Sequence, residues 1–130
     1  MNYSETIFKD ESKNIGIDFD GVIHKNSKGF HDGTIYDDPI EGSLEAIKYL
    51  ATKYNLIIFT AKAKPDRPLI NGKTGQELVW EWLTKHKLDS YVKQVTAEKP
   101  RALTYIDDKA IRFTDWNSTL SQFKELYESM

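Results

Sequence analysis

The sequence predicts an α/β fold, a doubly wound domain around a parallel sheet, and three observations carry that reading. Short apolar runs alternate with longer amphipathic stretches of helical period. The best runs, NIGIDF and NLIIFT, are apolar nearly throughout, as strands covered on both faces must be. The chain has 130 residues, which suits one such domain and leaves little room for a second.

Along the chain, residues 1–12 are polar and read as an arm, or as an added edge strand through Thr6-Ile7-Phe8. Asn14 to Phe19 is a buried strand that stops at Asp20-Gly21. Residues 22–36 hold turn signals without periodicity and read as a loop or small hairpin flap. A helix follows Asp38-Pro39, with Leu44, Ile47, Leu50 and Ala51 on one face of Glu41 to Lys53. Asn55 to Thr60 is the second strand.

Residues 61–73 form a basic loop containing Pro and Gly. Thr74 through Glu77 (TGQE) matches a capping box, and Leu78, Val79, Trp82 and Leu83 share the face of the helix it opens. Tyr91–Thr96 and Leu103–Asp107 complete the strands. A last helix is capped by Asn117 or Ser118 and has Leu120, Phe123, Leu126 and Tyr127 on one face.

Composition removes several function classes. The formal net charge is −2, whereas a chain devoted to nucleic-acid backbone is more often strongly basic. No cysteine is present, so disulfides, thiol nucleophiles and thiolate-bound zinc are excluded, and any metal must take oxygen or imidazole ligands. The first residues lack the apolar core of a signal peptide, and no run reaches membrane-spanning length, so a cytoplasmic protein with no membrane partner is expected.

In a doubly wound sheet, ligands sit at the carboxyl ends of the strands. Asp18 and Asp20, Thr60, and Asp107 and Asp108 all fall at such ends. Each feature has a plain alternative alone: a turn, a satisfied hydroxyl, a helix cap, and for Lys99 a surface cation. An EF-hand loop fails, because Val22 stands where an oxygen ligand is needed. Brought to one edge, four carboxylates repel unless a cation or protons hold them. Mg²⁺ prefers oxygen ligands, and together with Lys99, the Thr60 hydroxyl and nearby backbone amides it would cradle a phosphoryl group.

The whole pattern resembles the haloacid dehalogenase (HAD) superfamily. GIDFDGVI resembles its first motif, LIIFTA its second, the lysine of AEKP its third and LTYIDD its fourth, in the right order across residues 14 to 108. The resemblance implies a Rossmann-like core without a cap domain and a Mg²⁺-dependent phosphatase. Asp18 would be the nucleophile, and Asp20 the acid and then base, its backbone carbonyl also touching the metal. Thr60, with Ala61 and Lys62 beside it, would bind the phosphoryl oxygens, and Lys99 would neutralise charge. Asp107 would hold the metal directly, and Asp108 through water or by orienting Lys99. A response-regulator receiver places its acidic pair and phosphoacceptor in another order.

A small phosphorylated substrate, a sugar phosphate or nucleotide, is the expected partner, with a polynucleotide 3′-phosphatase as the runner-up. With no cap, the 22–36 flap or a second subunit in a homo-oligomer would exclude water. His24 and His31 read first as exposed loop histidines and second as substrate contacts. Lys62, Lys64, Arg67 and Lys73 read as a solvated loop or a second anion contact. Trp80, Trp82 and Trp116 read as core or shoulder residues.

Overall fold

A computed structural model describes residues 10–128 of the chain. The expected strand at Thr6-Ile7-Phe8 lies outside the described residues. Where the described chain begins, Asp10 caps a short 3-10 turn over Glu11–Lys13, its carboxylate accepting from the Ser12 amide at 3.1 Å.

Among the described residues, four strands form one all-parallel sheet: β1 Asn14–Asp18, β2 Asn55–Phe59, β3 Val92–Thr96 and β4 Thr104–Ile106, in the order β3-β2-β1-β4. Three α-helices accompany them there: α1 Ser43–Ala51, α2 Gly75–Lys85 and α3 Trp116–Tyr127. This is an α/β architecture compatible with a Rossmann-like fold. Among the described residues, no helix is long and apolar enough to cross a membrane.

The β1-α1-β2 and β2-α2-β3 units step the same way across the sheet. Right-handed crossovers therefore put α1 and α2 on one face. Strand alternation fills the core beneath them: Ile15, Ile17, Leu56 and Ile58 pack with Ile47 of α1 and with Val79, Trp82 and Leu83 of α2. Each such side chain removed from water contributes roughly 1.5–3 kcal/mol. Ile57 and Phe59, one residue out of step, turn to the opposite face, where Phe59 meets Tyr105 edge to face at 6.0 Å.

Buried polar groups fix the register. Asn14 is fully buried; its amide donates to the Arg101 carbonyl at 3.1 Å, and its side-chain oxygen accepts from Asn55 at 3.2 Å, directly across the β1–β2 ladder. β1 cannot slip by one residue without orphaning this pair.

Helix α2 starts as the sequence predicts, on a Thr74–Glu77 capping box. α3 does not. Its cap is Asp115, whose carboxylate accepts from the Ser118 amide at 2.8 Å, so Asn117 and Ser118 lie inside the first turn. α3 has no buried residue, and Leu120, Phe123, Leu126 and Tyr127 are exposed. Trp116 is 74% exposed, against the expectation of a core or shoulder position. Trp82 is core, its indole N–H satisfied by the Asp37 carbonyl at 2.8 Å, and Trp80 packs beside it half-buried.

Residues 21–42 form a loop of turns closed at its base by an antiparallel bridge between His24 and Pro39. Ile40 donates to the Ile23 carbonyl at 2.8 Å. Between these pairs the chain runs through turns rather than strands, so the flap is closed like a hairpin only at its base.

Candidate active site

Three neighbouring strands end at one edge of the sheet and deliver the polar residues there. Asp18 closes β1 at the centre, Thr60 follows β2 on one side, and Asp107 and Asp108 follow β4 on the other. Asp18, Asp107 and Asp108 each offer a carboxylate oxygen, and these atoms lie within 4.8 Å of one another. Burial pushes the Asp18 carboxyl up to about 6, against the hydrogen bond it accepts from the Phe19 amide at 2.8 Å; the charges of Asp107, Asp108 and Asp20 push the same way.

Asp107 accepts from the Lys109 amide at 2.8 Å, and its other oxygen lies 3.8 Å from the Lys99 ammonium. This positive charge is too far away for a hydrogen bond. Two glycines make the cluster geometrically accessible. Gly21 has φ +84°, and a Cβ there would come 2.5 Å from an Asp108 oxygen. Gly16, in mid-strand, clears the Tyr105 ring, which a Cβ would approach to 2.8 Å. Tyr105 in turn donates to the Pro100 carbonyl at 2.7 Å, fixing the segment that presents Lys99 over the Phe59 and Tyr105 rings. These are oxygen donors only, crowded and short of positive charge. The set fits a hard divalent cation that keeps part of its water shell.

Asp20 sits in a different environment. Phe19 follows the strand, and its carbonyl accepts from the amides of Val22, Ile23 and His24, winding the chain into one tight turn. That turn brings His24 back under Asp20, with Nδ1 2.9 Å from Oδ1. Nε2 accepts from the Asp37 amide at 3.1 Å, so the ring proton is on Nδ1 and donates to Asp20. The other Asp20 oxygen is 2.9 Å from the Lys62 ammonium. Burial opposes ionisation of Asp20, but the His24 hydrogen bond and the Lys62 charge outweigh it and hold the carboxyl below its ordinary range.

His24 is thus no exposed loop residue. It is fully buried, its ring 5.5 Å from Phe19 and 5.7 Å from Trp82. His31 stays exposed on the loop, beside Tyr36. The basic stretch is also not one solvated unit. Lys62 is 7% exposed and bound to Asp20, Lys73 pairs with Glu81, and Lys64 and Arg67 are exposed.

Thr60 extends the β2 ladder through its amide to the Thr96 carbonyl at 2.9 Å. Its buried hydroxyl accepts from the Lys62 amide at 3.2 Å, capping a 3-10 turn over Ala61–Ala63. The hydroxyl proton remains to be donated elsewhere. Ala61 is exposed at the start of that turn, its carbonyl accepting from the Lys64 amide. The coupling of Lys62 and His24 to Asp20 is what sequence reasoning missed. The four-residue interval from Asp20 to His24 is compatible with this turn but does not specify it.

No family model, curated protein or solved structure matches the chain.

Proposed function

We propose that the chain is a Mg²⁺-dependent phosphatase that hydrolyses a small phosphate monoester through an aspartyl phosphate on Asp18, with the chemistry of the HAD superfamily. One observation carries the reading. A crowded, cation-seeking carboxylate cluster centred on Asp18 stands beside a second carboxylate, Asp20, which the protein already neutralises. On this reading, the doubly wound arrangement would set α3 on the face opposite α1 and α2.

Asp18, Asp107 and Asp108 would hold the metal, which when bound offsets their charge and that of the phosphoryl oxygens. The Asp18 carboxylate attacks phosphorus in line, and the bond to the leaving oxygen breaks. The Thr60 hydroxyl donates to a phosphoryl oxygen, and Lys99 supplies positive charge at the Asp107 side. Asp20 hands a proton to the leaving oxygen, then takes one from the water that cleaves the aspartyl phosphate.

The free carboxyl of Asp20 is ionised, which suits the second step as it stands. For the first step it must gain a proton, and the incoming phosphate dianion, a like charge, raises its affinity for one. The small substrate is favoured over a polynucleotide end because the basic stretch is divided: Lys62 serves Asp20 and Lys73 serves Glu81, leaving no cationic stripe for successive phosphates.

The test is phosphate release from a panel of monoesters and 3′-phosphorylated oligonucleotides, with Mg²⁺ and with EDTA, for wild type and Asp18→Asn. Metal-dependent release lost in the variant is expected. Full activity in EDTA, or near-wild-type turnover by Asp18→Asn, would overturn the reading.

A further inference from the structure

Lys62 has a second neighbourhood besides Asp20. It lines a cavity of about 230 Å³ together with Phe30, Gly33, Arg67, Ile70 and Gly75. Asp20 does not line the cavity, but Lys62, which does, links it to that carboxylate, the one that faces the leaving oxygen in the proposed reaction. Its shape is built in by two close approaches. A Cβ on Gly33 would come 2.3 Å from the Ile70 side chain, and one on Gly75 would come 1.6 Å from the Lys62 carbonyl. The 21–42 loop, the 61–73 loop and the start of α2 are thereby locked around one space.

The lining has a definite chemistry. Phe30 is 56% exposed, a large aromatic ring left open on the loop. Two cations attend it: the Arg67 guanidinium lies 5.3 Å from its centroid and the Lys62 ammonium 5.8 Å. Ile70 adds an apolar wall. The polar lining is confined to charged groups: the two cations and Asp32, one of whose oxygens already accepts from both the amide and the hydroxyl of Thr34. Hydroxyls of a polyol turned toward the Phe30 and Ile70 walls would find no partners there, each at a cost. A planar ring loses nothing comparable and gains stacking on Phe30 and on the Arg67 plane. The volume is below the roughly 300–1,000 Å³ of sites for drug-sized ligands, which matches one ring system.

We propose that this cavity receives the leaving group of the substrate and selects a planar aromatic ring on it, with Phe30 and Arg67 as the specificity-determining residues. The substrate class is then a nucleoside monophosphate or an aryl phosphate, not a sugar or polyol phosphate. This rests on the phosphatase reading above and narrows it.

The experiment compares full-length wild type, Phe30→Ala, Phe30→Leu and Arg67→Ala with Mg²⁺ on a nucleoside 5′-monophosphate, ribose 5-phosphate, phenyl phosphate and glycerol phosphate. The first two differ only in the base. In wild type the nucleotide should exceed ribose 5-phosphate in kcat/KM by about tenfold, on the scale of one base stacking on an aromatic side chain. Phe30→Ala and Arg67→Ala should move that ratio toward one, mainly through KM, and Phe30→Leu should restore only part of it.

Reading the ratio within each variant separates lost recognition from general damage to the fold. Phenyl phosphate matching the nucleotide would mean that the ring alone is read; the nucleotide well ahead would identify the nucleoside as the source. Equal kcat/KM for nucleotide and ribose 5-phosphate in wild type, or a ratio unmoved by all three substitutions, would overturn the proposal. Isothermal titration of the same proteins with the same two ligands runs alongside. If no ester is hydrolysed, the phosphatase reading fails on its own, and the cavity proposal then stands or falls on whether the nucleotide binds more tightly in a Phe30-dependent way.

Discussion

Asp18 and Asp20 are two residues apart, yet the protein treats their charges in opposite ways. Around Asp20 it supplies a buried ammonium and a correctly oriented imidazole, and the carboxyl is driven below its usual range. Around Asp18 it supplies burial and further carboxylates, and burial first, with those charges behind it, drives the carboxyl up to about 6. The first arrangement is complete within the chain. The second is left unresolved, and only a cation or a proton resolves it. In the proposed reaction, these opposite perturbations correspond to a division of labour between nucleophile and acid–base.

The sharpest way to break this contrast is at Asp18. Asp18→Asn should lower phosphate release by at least roughly 10³-fold, since the covalent route is deleted. The same substitution should raise thermal stability in EDTA at pH 7, because it removes a repelled charge. A variant both inactive and less stable than wild type would mean that Asp18 holds the fold rather than the chemistry.

Lys62→Met attacks the other side. Asp20 would keep His24 but lose its countercharge, so its pKa should rise, and turnover should fall by about 10²-fold with the acidic limb of the pH profile displaced upward. An unchanged profile would show that the Lys62 pair is incidental to the reaction.

Stability against pH separates the two carboxyls, because the difference from Asp18→Asn isolates the Asp18 contribution. Asp18 has a folded pKa of about 6, above the ordinary carboxyl value of 3.8, so the native state binds more protons between those values. Its contribution therefore becomes unfavourable as pH rises from about 4 to 6. Asp20, with its folded pKa depressed, contributes stability that is present above 3.8 and lost as pH falls through the folded value. The wild-type melting temperature in EDTA, measured relative to Asp18→Asn, should therefore decline between pH 4 and 6. Mg²⁺ should abolish the decline, and Asp107→Ala should weaken that rescue more than Asp108→Ala. A flat difference, or one indifferent to Mg²⁺, would contradict the account.

The smallest effect is expected at Gly16. A methyl group there presses on Tyr105 and through it on the segment carrying Lys99. Gly16→Ala should lower kcat severalfold while leaving the Asp20 limb of the pH profile in place. A displaced Asp20 limb would show that the two environments are mechanically coupled.

Much of this was legible in the sequence, because the governing signals are local. Apolar runs mark β1 and β2, and TGQE marks the start of α2. Strand-end positions identify Asp18, Thr60, Asp107 and Asp108 as neighbours. The turn that folds His24 beneath Asp20 was not legible. It depends on the Phe19 carbonyl accepting several amides at once, a three-dimensional closure with no periodic trace. Lys62 was indistinguishable from Lys64 and Arg67, since a charge run does not reveal which member has a buried partner. Amphipathic spacing identified the apolar face of α3 but carries no information on whether anything covers it.

That uncovered helix gives the molecule two clocks. A backbone amide in β1 or β2 exchanges its hydrogen only when the sheet opens, which requires unfolding close to the global event. The amides of α3 are shielded by little beyond the helix's own hydrogen bonds, since none of its side chains is buried. Deuterium should enter α3 orders of magnitude sooner than the central strands, at temperatures where Asp18 and Asp20 have not moved.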